Sequence, residues 1–438
     1  MTASNVAAID FASGIPLVRA RHVAAVTMGN ALEFYDFLTY SFFAAQIGRT
    51  FFPSADPSTS LLASLATFGA GFLMRPVGAL VIGRIGDRAG RKPAMLLTFM
   101  LMGLAMTGLA LTPSHRTIGI TAPILAITFR LIQGFALGGE IGPNTAYLVE
   151  AAPFHRRGLY VSMQYMSQDA SILVSGLVGL ALATYLSDQQ LDDWGWRVAF
   201  LLGATIVPFG LILRRQLAET LHTPVQKAQT IVAPAPRLRT VAVLGIVLLA
   251  GGTVASYLQD YLTTYATSTL HMSTRTGFLS TIAVGAFGAL CDPIGGWLSD
   301  RFGRKPVMVV PWLILLVIAV PGFWLTAHYR TVGALIGLTA AITICACIAE
   351  ASILVSVTES LPTKIRCGTL GLIYAFSISV FGGTAQFAVA WLTDLTGSPL
   401  APACYLTGAV AITLVAMSRM PESAPRKLAQ KVATRRAA

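Results

Sequence analysis

Long apolar runs alternate with short charged or glycine- and proline-rich segments along the whole chain. A helix of about 20 apolar residues spans the hydrocarbon core of a bilayer, so each such run predicts a transmembrane helix. We number the predicted helices in chain order. They are 23–47, 60–83, 94–112, 119–143, 159–185, 198–213, 240–265, 277–298, 307–327, 333–355, 369–391 and 402–418.

The composition also indicates a protein that uses lipid as part of its solvent. Hydrophobic residues occupy 55% of the 438 positions and charged residues only 11%. A soluble chain carries about 25% charged residues, because its surface must face water. A large soluble enzyme is therefore excluded, and the pattern predicts an all-α membrane protein with twelve transmembrane helices.

Lysine and arginine are divided unevenly between the two sides of the predicted helices. With a cytoplasmic N-terminus, 24 of the 31 basic residues fall in cytoplasmic segments, five fall outside, and Arg75 and Arg130 lie at membrane depth. Cytoplasmic loops of membrane proteins carry such an excess, so the split predicts that both termini are cytoplasmic. The net charge of +12 is then explained by topology and attraction to anionic lipid, and nucleic acid is not expected as a partner.

One short sequence occurs in each half of the chain. Residues 83–93 read GRIGDRAGRKP after the second predicted helix, and residues 296–306 read GWLSDRFGRKP after the eighth. We call these two segments the repeated loops. Their spacing indicates a parallel duplication of six helices, an architecture that supports rocking around a site near the membrane midplane.

The chain is expected to divide into five parts at its longest loop and its two ends. The N-terminal segment lacks the basic-then-apolar pattern of a signal peptide, so the first helix is expected to remain uncleaved. The parts are a cytoplasmic leader (1–22), an N-terminal six-helix bundle (23–213), a cytoplasmic central loop (214–239), a C-terminal six-helix bundle (240–418) and a basic cytoplasmic tail (419–438).

Twelve helices, a cytoplasmic central loop and the repeated loops together resemble the major facilitator superfamily. Four segments resemble its metabolite:proton symporter family: NALEFYD at 30–36, GFLMRPVG at 71–78, RLIQG with GGE within 130–140, and FGG at 381–383. The first half, with SMQYMSQ at 162–168, is most similar to the citrate and tricarballylate symporters of bacteria, and the second half departs more. The resemblance implies the major facilitator fold, alternating access and a multi-pass location in the cell inner (cytoplasmic) membrane.

Acidic residues at membrane depth are the main chemical signal in the sequence. A charge at the centre of a transmembrane helix costs about 2.5–3.5 kcal/mol on insertion scales, so each needs a partner, a water-filled cavity or a proton. We therefore expect these residues to line a polar cavity. They are Glu33, Asp36, Glu140, Asp169, Asp260, Asp292 and Glu350.

Proton coupling is expected at Glu33, Asp36 and Arg130. The two acids share a face of the first predicted helix, and Arg130 lies on the fourth, which adjoins the same cavity in the resembled fold. Arg130 would hold one carboxylate ionised, and a bound anion that neutralises Arg130 would let that carboxylate take up a proton. The alternative is a permanent buried ion pair that only orders the bundle.

Polar and aromatic side chains on the cavity-facing helices are candidate solute-binding residues. Gln164 and Gln168 fit amide hydrogen bonds between helices equally well. The candidates are Asn30, Tyr35, Arg130, Gln133, Gln164, Gln168, Tyr257, Asp260, Tyr261, Glu350 and Tyr374.

Two other features of the first half are interpreted as structural. Glycines at 134, 138, 139 and 142 of the fourth helix favour close helix packing over ligand contact. Arg75 is expected to belong to the cytoplasmic end of the second helix.

The repeated loops are interpreted as gates that form charge networks across the two halves. Pairs at an exposed surface contribute less than about 1 kcal/mol each, so they bias a conformational equilibrium without locking it. The gating residues are Asp87, Arg88, Arg91, Asp300, Arg301 and Arg304.

The sequence contains no phosphate-binding G-x-x-x-x-G-K-[ST] loop, no Cys/His cluster with metal-ligand spacing and no nucleophile elbow. An enzyme, a metal and other cofactors are therefore not expected, and a proton gradient would supply the energy. The expected partners are a small solute, protons and the lipid bilayer, with no obligate protein partner.

Four functional hypotheses follow. The first is a proton-coupled symporter that imports a small organic acid, a di- or tricarboxylate such as citrate. The second is a proton symporter for a zwitterionic or cationic solute, a betaine or amino-acid derivative, because the acids of the second half would repel a trianion. The third is an efflux transporter for amphipathic compounds or metal chelates, and the fourth, a receptor or scaffold, leaves the intramembrane acids without a use.

Overall fold

The apolar runs form helices in the computed structural model, as they must where water cannot satisfy the backbone polar groups. The predicted leader 1–22 and Glu33 and Asp36 lie outside the described residues, as do most of the central loop 214–239 and much of the tail 419–438. The structure describes residues 23–24, 26–28, 30–31, 34–35, 39–40, 43–55, 57–153, 155–205, 207–208, 211–212, 238–272, 274–424 and 427. Among these residues there is no β-strand.

We label the main helices by the predicted span that each one matches. They are α1 (Ala44–Phe51), α2 (Pro57–Arg88), α3 (Arg91–Leu111), α4 (Thr121–Ala151), α5 (Arg157–Tyr185), α6 (Trp196–Ala204), α7 (Leu238–Thr264), α8 (Thr274–Phe302), α9 (Arg304–Tyr329), α10 (Val332–Glu359), α11 (Arg366–Ser377) and α12 (Ala401–Arg419). After a π-helical turn at Ile378–Gly382, α11 continues as Gly383–Thr396.

Ten of these helices, all except α1 and α6, are long and apolar enough to cross a membrane within the described residues. The helical, multi-pass part of the prediction is therefore confirmed. The number of twelve spans and the cytoplasmic side of both termini stay predictions.

A short turn within each repeated loop separates two long helices: residues 89–90 in the first loop and Gly303 alone in the second. The first turn separates α2 from α3 and the second separates α8 from α9. Gly90 and Gly303 have φ angles of 116° and 105°, a region that side chains with a Cβ rarely adopt. Asp87 and Arg88 lie in the last turn of α2, and Asp300 and Arg301 lie in the last turn of α8, because a polar residue can continue a helix beyond its apolar run.

The two halves of the chain meet along two equivalent pairs of helices. Helix α5 of the first half packs against α8 of the second, and α2 packs against α11. The repeated loops relate α2 to α8, so the two contacts are counterparts under the duplication. A site between the halves is therefore bordered by α2, α5, α8 and α11, among other helices.

Helices α2 and α4 approach closely at glycines, as the sequence predicts. A Cβ at Gly134 would contact the backbone of Gly71, and a Cβ at Gly138 would contact the backbone of Arg75. Small residues at helix contacts allow this distance. The close approach fixes the position of Arg75 relative to α4.

Candidate functional site

A cavity of about 1000 Å³, a volume that includes solvent open to it, lies between the two halves. Helices α2, α4 and α5 wall it on one side, and α7, α8, α10 and α11 on the other. Apolar walls with a few converging polar groups are typical of small-molecule sites. The polar lining residues are Arg75, Tyr165, Gln168, Asp169, Thr253, Ser256, Tyr257, Gln259, Asp260, Cys347, Glu350 and Tyr374.

Among the described residues that line this cavity, three carboxyl groups and one guanidinium carry charge. Asp169 comes from the first half, and Asp260 and Glu350 come from the second. Glu350 Oε1 accepts a hydrogen bond from Ser256 Oγ at 2.8 Å. Arg75 is buried, and its guanidinium carbon lies 4.1 Å from the centre of the Phe72 ring.

Five of the predicted solute-binding residues lie in the wall of this cavity. Gln168 belongs to α5, and the other four belong to the second half of the chain. The five are Gln168, Tyr257, Asp260, Glu350 and Tyr374.

Asn30 and Gln164 form a buried amide network beside the cavity. Asn30 Nδ2 donates to the backbone oxygen of Gln164 at 2.7 Å and to Ser167 Oγ at 3.1 Å. Gln168 Nε2 donates to Asn30 Oδ1 at 3.2 Å, and Thr145 Oγ1 donates to Gln164 Oε1 at 3.0 Å. Asn30 also lines a smaller neighbouring cavity. Gln164 forms hydrogen bonds between helices, which the sequence analysis gave as the alternative to solute binding for Gln164 and Gln168.

Tyr35 and Tyr261 lie in hydrophobic packing and not in the cavity wall. The hydroxyl of Tyr35 donates to the backbone oxygen of Ala199 at 2.9 Å, which ties the first predicted helix to α6. Tyr261, one turn beyond Tyr257, is buried in the apolar core of the second half. Each side chain packs against neighbouring helices and is therefore not available to a solute in the cavity.

Arg130 and Gln133 also lie outside the described wall of the cavity. Arg130 Nη1 donates to Gln133 Oε1 at 2.5 Å. Its guanidinium carbon is 4.3 Å from the centre of the Tyr40 ring and 4.9 Å from that of Phe68. Since Glu33 and Asp36 are outside the described residues, the predicted coupling group stays a prediction.

Arg75 lies in the cavity wall and not at the end of its helix, where the sequence placed it. Helix α2 continues to Arg88, so Arg75 is 13 residues, about 20 Å, from that end. Asp169, one of the membrane-depth acids expected to line a polar cavity, also lies in this wall, although it was not among the candidate solute-binding residues. Cys347 is a further lining residue that the sequence did not select. Cys347 lies in an apolar run of the sequence, which concealed its exposure to the cavity.

The aspartate of the first repeated loop joins the two halves. Asp87 Oδ1 accepts from Arg91 Nη1 at 2.7 Å, and its two oxygens accept the backbone N–H groups of Cys367 at 3.1 Å and Gly368 at 2.8 Å. Glu150, at the end of α4, accepts from Arg91 at 3.1 Å and from Arg366 at 3.2 Å.

The second repeated loop makes the equivalent contacts, with an aspartate of the second half that accepts from backbone N–H groups of the first half. Asp300 accepts from Arg304 Nη1 at 2.6 Å and from the backbone N–H groups of Gly158 and Leu159, both at 2.8 Å. Glu359, at the end of α10, lies 3.3 Å from Arg304 and 3.7 Å from Arg157. We call the two sets of contacts the loop-end networks.

The loop-end networks are buried, whereas the sequence analysis expected exposed pairs. The side chains of Arg91 and Arg304 are 0% exposed. Arg88 is exposed, and the guanidinium of Arg301 lies 5.3 Å from the Trp297 ring, so the described contacts do not bring these two arginines into the networks. The partner residues Glu150, Glu359, Arg157 and Arg366 were not among the predicted gating residues.

Comparison with known proteins gives consistent matches over most of the chain. A model of the Major Facilitator Superfamily matches residues 26–376. The chain is 34% identical to a citrate-proton symporter of Klebsiella pneumoniae, with 95% of each chain covered. It is 33% identical to the alpha-ketoglutarate permease of Escherichia coli (strain K12), over 85% of this chain and 87% of that protein.

Two further similarities concern a different solute and the fold. The chain is 32% identical to a proline/betaine transporter of Escherichia coli (strain K12), over 93% of this chain and 84% of that protein. Among solved structures, the proton:xylose symporter XylE bound to 6-bromo-6-deoxy-D-glucose matches with a TM-score of 0.77. That match has 18% sequence identity and covers 92% of this chain and 96% of that one.

Proposed function

Because this chain belongs to the Major Facilitator Superfamily, it is a multi-pass membrane transporter and not an enzyme, and we propose that it is a proton-coupled symporter. The proposed solute is a small organic acid, a di- or tricarboxylate such as citrate, which the protein imports. The observation that carries this proposal is the cavity between the halves, where Arg75 lies among Asp169, Asp260 and Glu350. Relatives named citrate-proton symporter and alpha-ketoglutarate permease support the solute class.

The charges of the cavity supply a coupling mechanism. Three ionised carboxylates would repel an organic anion, and one arginine does not balance them. Protons that neutralise these carboxylates leave Arg75 as the dominant charge, and a guanidinium binds a carboxylate through two parallel hydrogen bonds. Anion and protons therefore favour each other's binding, and this linkage is reciprocal.

The loop-end networks serve in this proposal as the gate at one end of the cavity. They join the halves on the side that the basic residues predict to be cytoplasmic, so their opening would release the solute there. In the proposal the protein works in a bacterial inner membrane, in keeping with its bacterial relatives. The coupling group predicted at Glu33, Asp36 and Arg130 would act on the same proton path.

A zwitterionic solute is the second candidate, and the aromatic side chains of the cavity favour it. Tyr257 and Tyr374 line the same wall as Asp260 and Glu350. A quaternary ammonium group is held well by aromatic faces next to carboxylates. The similarity to a proline/betaine transporter supports this candidate.

Purified protein in liposomes tests the proposal. An inward proton gradient should drive accumulation of labelled citrate or alpha-ketoglutarate, and a protonophore should abolish it. Accumulation of betaine or proline instead would select the second candidate. Uptake that follows sodium and ignores the protonophore would overturn the proton assignment, and proton-driven loss of preloaded label would indicate efflux.

A further inference from the structure

Two carboxyl groups and a thiol meet between the halves, next to the cavity. Asp169 comes from α5, Asp292 from α8 and Cys347 from α10, and one ligand atom of each lies within 4.8 Å of the others. Cys347 Sγ donates to Asp169 Oδ2 at 3.5 Å. The proposed transport mechanism gives no role to Asp292 or Cys347.

Asp292 has an unusual environment for a carboxyl group. Its side chain is 0% exposed, no well-formed hydrogen bond reaches either oxygen within the described part of the chain, and the polar groups beside it are the Asp169 carboxyl and the Cys347 thiol. A buried carboxylate without donors is costly, since neither water nor protein replaces its hydration. A proton shared with Asp169 would lower this cost, and a cation held between Asp292 and its two neighbours would lower it as well.

We propose that Asp169, Asp292 and Cys347 bind a divalent transition-metal ion of the Zn²⁺ class. Zinc accepts cysteine sulfur at about 2.3 Å and carboxylate oxygen at about 2.0–2.2 Å, and the mixed sulfur and oxygen donors fit it better than Ca²⁺ or Mg²⁺. Rotation of the two carboxylates would close the remaining distance. The thiol loses its proton to cavity water when the metal–sulfur bond forms, and two carboxylates, one thiolate and the ion sum to a charge of −1.

The site has an entry path and a free coordination position. Asp169 and Cys347 both line the cavity, so an ion can arrive from there. Three protein ligands leave the fourth tetrahedral position open, and it would face the cavity, where water or a carboxylate could occupy it. Glu350 follows Cys347 by one turn of α10 and lines the same wall.

Gly288 makes room for this arrangement on α8, one turn before Asp292. A Cβ at position 288 would collide with Asp169 Oδ2. The absence of a side chain therefore lets the Asp169 carboxylate approach α8. This explains how a residue of the first half reaches two residues of the second.

A metal at this place would bridge the two halves. The metal would be bound most tightly in the conformation that brings α5 against α8 and α10. It would therefore stabilise that conformation relative to the others and slow transport. Spacing along the chain cannot reveal such a site, because its ligands are far apart in sequence.

Metal titration of the purified, chelator-treated full chain tests the proposal. We expect one Zn²⁺ per chain by calorimetry, and with Co²⁺ a thiolate-to-metal charge-transfer band. Cys347→Ser and Asp292→Asn should each weaken Zn²⁺ binding by more than about tenfold, since loss of even a supporting partner has that effect. Cys404→Ser, an exposed cysteine of α12, is the matched control and should bind as the unmodified protein does.

Transport gives a second readout. Zn²⁺ should slow uptake by the unmodified protein and by Cys404→Ser, and Cys347→Ser should resist it. Equal Zn²⁺ affinity in the Cys347→Ser and Cys404→Ser variants, or no Zn²⁺ binding by the unmodified protein, would overturn the proposal. The calorimetric result does not depend on the solute or on transport, so failure of the proposed function leaves this test intact.

Discussion

The carboxylate of Asp87 accepts the backbone N–H of Gly368 at 2.8 Å, across the boundary between the two halves. Asp300 accepts the N–H of Gly158 at the same distance in the opposite direction. Gly368 and Gly158 lie in the first turns of α11 and α5, where N–H groups have no partner within the helix and the helix dipole favours a negative charge. Each aspartate therefore caps a helix of the other half, and both caps must break when the halves separate at this end.

Asp87→Asn should open the loop-end networks. The amide keeps the shape of the side chain but loses the charge that Arg91 and the helix N-terminus require. Removing one partner of a buried ion pair costs about 3–5 kcal/mol, enough to change an open population by well over tenfold. Cys367 is 0% exposed beside this aspartate, so it can report the change.

The measurement is the alkylation rate of Cys367 by a water-soluble maleimide, with the other four cysteines replaced by serine. The rate should rise at least tenfold in Asp87→Asn. Asp192→Asn is the matched control, because Asp192 forms a solvent-exposed pair with Arg49. Equal labelling rates in the two variants would contradict a gate at the loop end.

The sequence revealed half of each loop-end network because Asp87, Arg91, Asp300 and Arg304 lie in an obvious repeat. Glu150 and Glu359 could not be found in the same way. They follow long apolar runs, where an acid is equally compatible with a solvated helix end. Their role depends on α4 and α10 ending beside the arginines of the repeated loops, which is a property of the packing.

Prediction of the cavity was limited by helix length and rotation. Asp260 and Glu350 stood out because a carboxylate in an apolar run needs a special environment, and both line the cavity. Arg75 was misplaced because an apolar run shows where lipid begins and not where the helix ends. Tyr261 fits the polar face of α7 in the sequence, yet the neighbouring helices decide which part of that face is open.

Gly138→Ala should destabilise the protein. Its Cβ would collide with the backbone of Arg75, so α2 and α4 would have to move apart. Overpacking of this kind costs about 1–3 kcal/mol. Gly69→Ala, on α2 with no atom within 4 Å of the new Cβ, is the control. Thermal unfolding in detergent should show a lower Tm for Gly138→Ala than for Gly69→Ala, and equal values would contradict the packing role.

Arg75→Gln should raise the KM for a carboxylate solute by about ten- to a hundredfold, because a hydrogen bond to a charged group contributes about 1.5–3 kcal/mol. Arg75→Lys should recover part of the loss, since lysine keeps the charge and loses the two-pronged geometry. Arg84→Gln, at an exposed position of the same helix, is the control. Unchanged uptake by Arg75→Gln would move the anion site elsewhere, with Arg130 the next candidate.

The two candidate solutes are separated by neutralising Asp260 and Glu350 together, as Asp260→Asn with Glu350→Gln. If the solute is an organic anion, these carboxylates must be neutral when it binds, so the double variant should bind citrate or alpha-ketoglutarate at least as tightly as the unmodified protein. Binding should also depend less on pH, and a proton gradient should drive less accumulation, because two proton sites are gone.

A solute with a cationic group should respond in the opposite direction. One of the two carboxylates is then its counter-ion, and loss of a buried charge partner costs about 3–5 kcal/mol, or more than a hundredfold in affinity. Calorimetric titration of the unmodified protein and of the double variant, with citrate and with betaine, measures the difference. Asp193→Asn, at an exposed position, is the control for loss of a negative charge alone. Retained citrate binding would exclude the zwitterion proposal, whereas loss of binding for every carboxylate tested would exclude the organic-acid proposal. The two outcomes differ in sign, so the decision does not depend on the size of either effect.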